Sequence, residues 1–142
     1  MRLPLLVLVL AFCLGLAGCK AAGQSPQATG NSPAAPSAIY ETYTAQEYYI
    51  TLLERITQKM AACSIYGKTG HFQYNTGTKE GYYYLLDDAQ KTVFMVHLKG
   101  RGEEETGEET TVTVHVPREH ADDWAVTAKI VKAGVLNTPE CP

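Results

Sequence analysis

The sequence predicts an α+β domain: one N-terminal amphipathic helix packed on a four- or five-stranded antiparallel meander. Two observations carry this reading. Apolar residues recur at helical spacing from Tyr49 to Met60, and beyond Gly67 the apolar period shortens to two. A helix followed by a run of strands, with no alternation of the two, gives segregated layers rather than a parallel sheet.

The helix comes first. Thr44-Ala45-Gln46-Glu47 reads as a capping box, in which Thr44 accepts from the amide three residues on while Glu47 reaches back. Tyr49, Leu52, Leu53, Ile56 and Met60 then fall on one stripe, and Cys63 continues it. The other side carries Thr51, Glu54, Arg55 and Gln58, which is not the basic face of a membrane-surface helix. The spacing predicts a helix from about Ala45 to Ala62, with its stripe against a core.

Four strands follow. His71–Asn75, Tyr82–Leu86, Thr92–Leu98 and Thr111–Val116 alternate in polarity and are rich in β-branched and aromatic residues. Their links are short or carry glycine, so consecutive strands pair antiparallel. The alternation places Phe72, Tyr74, Tyr82, Tyr84, Leu86, Phe94, Val96, Leu98, Val112, Val114 and Val116 on the face that receives the helix. Pairing Leu86 with Thr92 then sets Tyr83 opposite Met95 and Leu85 opposite Val93 on the outer face. His97 and His115 project the same way as diagonal neighbours. A solvated face would be cleanly polar. Tyr83, Leu85, Val93, Met95, His97 and His115 are therefore the candidate partner-binding residues, unless the C-terminal segment covers them. Trp124–Val131 alternates in a way that favours a fifth strand. A helix is the rival, with Pro117 near its start and Gly134 at its stop.

The N-terminus carries an address. Met1-Arg2 precedes an apolar run from Leu3 to Leu16, and Leu16-Ala17-Gly18-Cys19 closes it with two small residues and a cysteine. This is the layout of a secretory signal, and the run is shorter than the roughly 20 residues that span a bilayer. The stretch resembles the lipobox of bacterial lipoproteins. The resemblance covers residues 1–19 alone and implies that residues 1–18 are removed and that Cys19 is lipidated. It also implies a membrane-anchored envelope protein. In a Gram-negative host, Lys20 in place of the family's retention Asp points to the outer membrane, facing the periplasm. With Cys13 discarded and Cys19 acylated, Cys63 and Cys141 remain, and outside the cytoplasm such a pair is expected as a disulfide. Residues 19–39 hold the lipidated cysteine and an Ala/Pro/Ser/Gly stretch with almost no large apolar residue, read as a tether with a reach of about 25 Å. Residues 40–142 form the single globular domain.

Charge and motifs narrow the function. Residues 40–142 hold 10 Lys/Arg against 15 Asp/Glu, a balance that opposes phosphate-backbone binding. The four histidines show no H-E-x-x-H spacing, so no metal ligand set is assigned. Glu103-Glu104-Glu105 with Glu108-Glu109 reads as a solvated acidic loop, its spacing unlike a calcium loop. No nucleophile elbow or phosphate-cradling loop occurs, so no catalytic residue and no cofactor beyond the lipid are expected. Nine tyrosines are the compositional excess, and aromatic rings with polar tips suit protein interfaces and sugar stacking alike. The expected function is non-catalytic protein binding or assembly in the cell envelope, through the outer sheet face. A glycan- or small-ligand-binding lipoprotein is the alternative, and an envelope hydrolase comes third.

Overall fold

The computed structural model describes residues 32–63, 70–102 and 108–142. The signal-like segment, Cys19, the greater part of the tether and the triplet Glu103–Glu105 lie outside the described residues. The chain runs β1 (Ala38–Ala45), α1 (Tyr49–Cys63), β2 (His71–Asn75), β3 (Glu80–Leu86), β4 (Thr92–Arg101), β5 (Glu109–Val116) and α2 (Ala125–Val135). A 3₁₀ segment over Arg118–Trp124 leads into α2. The five strands form one antiparallel sheet in the order β1-β5-β4-β3-β2, and the two helices cover one of its faces. This is an α+β fold with an antiparallel sheet and one disulfide.

The helical stripe is buried as its spacing requires: Tyr49, Leu52, Leu53, Ile56, Met60 and Cys63 all face the core. The helix begins four residues later than the capping box implies, and it is not the first element. Thr44 and Ala45 end β1 instead, where they pair with Thr111 and Thr110 of β5. Glu47 does not reach back to a helix amide. Its carboxylate takes a fork of two bonds from Arg55, at 2.8 and 2.5 Å, and its carbonyl accepts from the Thr110 hydroxyl at 2.7 Å. Pairing along a sheet edge outweighs a local cap that satisfies two donors.

The C-terminal segment is the helix α2, which corrects the fifth-strand reading of Trp124–Val131. The edge of β5 that such a strand would need is filled by β1. Thr127, Ala128, Val131 and Gly134 recur at helical spacing and are buried against α1. Gly134 does not stop this helix; it lets the two helices touch. A Cβ placed there would lie 3.2 Å from the Ile56 Cα, so a larger residue would push α2 off α1. The end falls at Leu136. Asn137 adopts a left-handed conformation (φ 53°), its amide donates to Gly134 and the Thr138 amide donates to Ala133. That is a Schellman closure with Asn in the usual glycine place.

The β3 register is the largest departure from the sequence reading. Leu86 does pair with Thr92, but Leu85 pairs with Phe94, so Val93 is an extra residue in β4. This β-bulge shifts every remaining partner by one, and a one-residue shift exchanges the faces of a strand. The four-residue turn between Asn75 and Glu80 sets the same parity from the other side, with Phe72 opposite Tyr83. Tyr83 and Leu85 therefore point into the core, 4% and 2% exposed, while Tyr82 and Tyr84 take the outer face. Gly81 lies beneath α1, where a Cβ would meet Leu53 at 3.1 Å.

The core thus lies between sheet and helices, with Phe94, Val96, Leu98, Val112, Val114 and Val116 facing Leu52, Leu53, Ile56 and Ile130. Cys63 and Cys141 form a disulfide with Cα atoms 5.5 Å apart, pinning the C-terminal tail to the end of α1.

Two outcomes follow. Leu85→Ala should lower stability by about 2–5 kcal/mol, the range for deleting a buried leucine side chain, as read by thermal or urea unfolding. A loss below about 0.5 kcal/mol would return Leu85 to the outer face. Cys63 and Cys141 should resist alkylation in the folded protein until reductant is added, and reduction should cost up to about 4 kcal/mol for a loop of this length.

Candidate functional site: the outer sheet face

The sheet face turned away from the helices is built by all five strands, with Ile39, Thr42 and Thr44 of β1 level with His115, Thr113 and Thr111 of β5. β4 supplies Met95, His97 and Lys99, β5 supplies Thr111, Thr113 and His115, and β3 supplies Glu80, Tyr82 and Tyr84. Met95 lies opposite His115 and His97 opposite Thr113, so the two histidines are diagonal neighbours, as the alternation implies. Of the candidate partner-binding residues, Met95, His97 and His115 are brought together here. Tyr83 and Leu85 are in the core. Val93, displaced by the bulge, is half-buried at the sheet's end beside Pro117 and Trp124.

The residues that join Met95 and the histidines are Tyr82 and Tyr84. The Tyr82 ring stacks flat on His97, with centroids 4.8 Å apart and planes 4° from parallel. Tyr84 stacks on His71 of β2 at 5.5 Å and 22°. Glu80 anchors one side: its carboxylate accepts from Lys99 Nζ at 3.0 Å, from the Thr78 hydroxyl at 2.9 Å and from the Tyr82 hydroxyl at 3.2 Å. Those bonds, led by the one from Lys99, hold the Glu80 carboxyl below its ordinary range. His97 Nε2 is buried without a hydrogen-bond partner among the described residues, with Glu80 Oε1 at 3.6 Å. Burial keeps His97 and His115 below the usual histidine range; Glu80 partly opposes this at His97, and His97 adds to it at His115.

Part of the tether region contributes. The Ser32 hydroxyl lies 2.9 Å from the Tyr82 hydroxyl. Because Tyr82 gives its proton to Glu80, Ser32 is the donor in this pair. At the other end of the segment, Ser37 Oγ accepts from the Arg118 amide at 3.2 Å. The stretch between is neither strand nor helix. It forms one wall of a cleft of about 530 Å³, opposite Asp87, Lys91, Thr92 and Pro117. A second, more apolar cleft of about 330 Å³ adjoins it, lined by Val93, Pro117, His120, Asp123 and Trp124. His120 Nδ1 is 3.3 Å from Asp123 Oδ2 there, and Trp124 packs on Phe94 with centroids 5.3 Å apart.

The face therefore offers flat rings, a thioether and a few hydrogen-bonding tips, which is the chemistry of recognition. Among the described residues no three His, Cys, Asp or Glu side chains gather as a metal-ligand group. The sequence reading puts Tyr82 and Tyr84 on the helix-facing side and does not single out Ser32; the register moves the two rings to the outer face. The three consecutive tyrosines demand rings on both faces, but only the bulge decides which. No protein-family model matches the chain, and a search of curated proteins finds no match.

The buried histidines make the stability of this face depend on pH. Both take up protons less readily in the folded chain than in the unfolded one, so the unfolded chain binds more protons as pH falls below about 6.5. Their contribution is complete above that value and is lost as pH falls below it. The Glu80 contribution is lost further down, as pH falls below the ordinary value of 4.5. Melting temperature should fall as pH drops below 6.5, and His97→Gln with His115→Gln should flatten that slope. An unchanged slope in the double variant would assign it to other groups.

Proposed function

We propose that this chain is a lipid-anchored protein of the cell envelope that binds another protein through the outer face of its sheet. The single observation behind this is a sheet face lined by Tyr82, Tyr84, Met95, His97 and His115 where a solvated antiparallel sheet would alternate to polar residues. Aromatic rings and methionine are enriched at the centres of protein interfaces, where truncating an anchor commonly costs 2 kcal/mol or more. The anchor rests on the lipobox-like Leu16–Cys19, and the composition of residues 20–31 supports a flexible link to it. No helix among the described residues is long and apolar enough to cross a bilayer.

A second reading has its own observation. The cleft of about 330 Å³ presents Trp124 beside His120 and Asp123, an aromatic ring with polar neighbours of the kind that holds a sugar or a small ring. Quenching or shift of the fluorescence of Trp124, the sole tryptophan, on titration with envelope glycans would favour this use of the molecule.

The test of the main proposal has two arms. Mass spectrometry of the mature chain should find Cys19 at the N-terminus carrying acyl groups; an unmodified Cys19 would remove the anchor. A photo-crosslinking residue at Tyr84 should capture one predominant envelope protein in the native membrane, and the same residue at Glu54, on the far side of α1, should not. Equal capture from both positions, or none from Tyr84, would overturn the protein-binding role of this face.

A further inference from the structure

The outer face is not bare. Tyr82 and Met95 belong to it by register, yet they are 6% and 3% exposed, as closed to solvent as the core. Part of that cover is the segment Ser32-Pro33-Ala34-Ala35-Pro36-Ser37. Its last residue sits at the start of β1, beside Arg118, and its first is bonded to Tyr82 on β3. In the order β1-β5-β4-β3, that path crosses β5 and β4. Ala38 is level with Val116, and Tyr82 is level with His97 and Thr113. Three strand spacings across and three residues along make a diagonal of about 18 Å. Six residues in polyproline II rise about 19 Å, whereas a helical segment would reach only about 9 Å. The segment therefore crosses extended, with Ala34–Ser37 facing Asp87, Lys91, Thr92 and Val93 at the end of the sheet and Ser32 reaching the Tyr82 hydroxyl.

Its composition suits this. Pro33 and Pro36 fix their own φ near −65°, and each restricts the residue before it to extended backbone. The pair forms a P-x-x-P unit with alanines between, and such segments dock on aromatic-lined surfaces because they lose little entropy on binding. Among the described residues the crossing is held at each end by one side-chain bond, with no ladder to the sheet. A strap of this kind opens more easily than any strand.

We infer that the outer face is a receptor for an extended P-x-x-P segment, filled in cis by Ser32–Ser37, and that the partner presents a segment of the same chemistry and displaces the strap. This rests on the protein-binding reading above and names the element recognised. The strap is a tethered competitor at an effective concentration of order millimolar, so partner segments bind appreciably only with help from further contacts or from a strap that has opened.

Methionine oxidation reads the cover directly, since the mature chain has only Met60 and Met95. Met60, 1% exposed on the buried face of α1, reports the fold, and Met95, 3% exposed on the outer face, is the residue the proposal expects the strap to cover. In the full chain, dilute peroxide followed by mass spectrometry should find both protected. Pro33→Gly with Pro36→Gly should raise Met95 oxidation roughly tenfold or more, as expected for a lid mostly closed before the change, with Met60 unmoved. Adding the peptide Ser-Pro-Ala-Ala-Pro-Ser should restore Met95 protection in the variant, and Ser-Ala-Ala-Ala-Ala-Ser should not. Met95 equally protected with the prolines gone, or restored equally by both peptides, would overturn the proposal. Should Met60 also become reactive, the wild-type chain decides. Excess proline peptide must then shift the Tyr82 and His97 ring resonances and weaken the Ser32–Tyr82 nuclear Overhauser contact, and no shift overturns the proposal. Failure here with successful capture at Tyr84 would leave a binding face that reads another kind of segment. Success here without capture would leave a face seated only by its own segment and would overturn the partner half of the proposal.

Discussion

The extra residue in β4 decides what each face of the sheet is made of. With Val93 bulged out, Leu85 meets Phe94 and Tyr83 meets Val96, so two large side chains enter the core beneath the helices. Without it, Tyr82 and Tyr84 would fill that space, and Tyr83 and Leu85 would stand on the outer face in their place. The stack of Tyr82 on His97, the bond of Tyr82 to Glu80 and the seat for Ser32 all depend on this register. A bulge costs ladder bonds and bends its strand, and such bulges cluster beside functional surfaces because they re-aim side chains. Here the re-aiming is visible at both ends, since Val93 itself turns toward Trp124 and lines the end cleft.

The helical layer is held by a different device. Arg55 bonds the Glu47 carboxylate ahead of its own helix, and it also donates to the carbonyls of Gly134 at 2.7 Å and Val135 at 3.2 Å. One guanidinium thus neutralises a carboxylate and satisfies the carbonyl end of α2, where a positive charge is favourable. One turn on, Lys59 donates to the carbonyls of Thr138 and Pro139 in the tail beyond α2. The close approach at Gly134 makes these bonds reachable. Bare helix contact, cationic side chains on terminal carbonyls and the Cys63–Cys141 bridge act at successive points along one seam.

Much of the architecture was legible in the sequence. The stripe from Tyr49 to Cys63 could hardly fail, because six residues share one period, and the meander β2 to β5 followed from alternation and short links. The disulfide followed from the compartment rather than from geometry. β1 was hidden by competing local signals: Thr44 to Glu47 has the spacing of a cap, while Ile39, Thr42, Tyr43 and Thr44 carry the β-branched and aromatic bias of a strand. Local capping is weaker than edge pairing, and the strand prevailed. α2 was misjudged because alternation over eight residues suits a strand as well as a helix when small residues intervene. The candidate site was half legible. Met95, His97 and His115 needed only the β4–β5 register, which is regular. The tyrosines of β3 needed the bulge, and no residue in Thr92-Val93-Phe94 announces one.

The bridge between Cys63 and Cys141 also fixes the covalent connectivity of the molecule. It encloses β2 to β5 and α2 in a closed ring of chain, with β1 and α1 outside it. A single cleavage at any peptide bond inside the ring, including the stretches at 64–69 and 103–107, opens the ring without dividing the molecule. Both pieces stay joined through sulfur, and the sheet between them stays assembled by its ladders. Cleavage in the extended segment ahead of β1 is different, for it frees the whole domain from its N-terminal region in one step. Where the chain is cut thus decides whether one covalent molecule or two result: one for any single cut between Cys63 and Cys141, two for a cut ahead of β1.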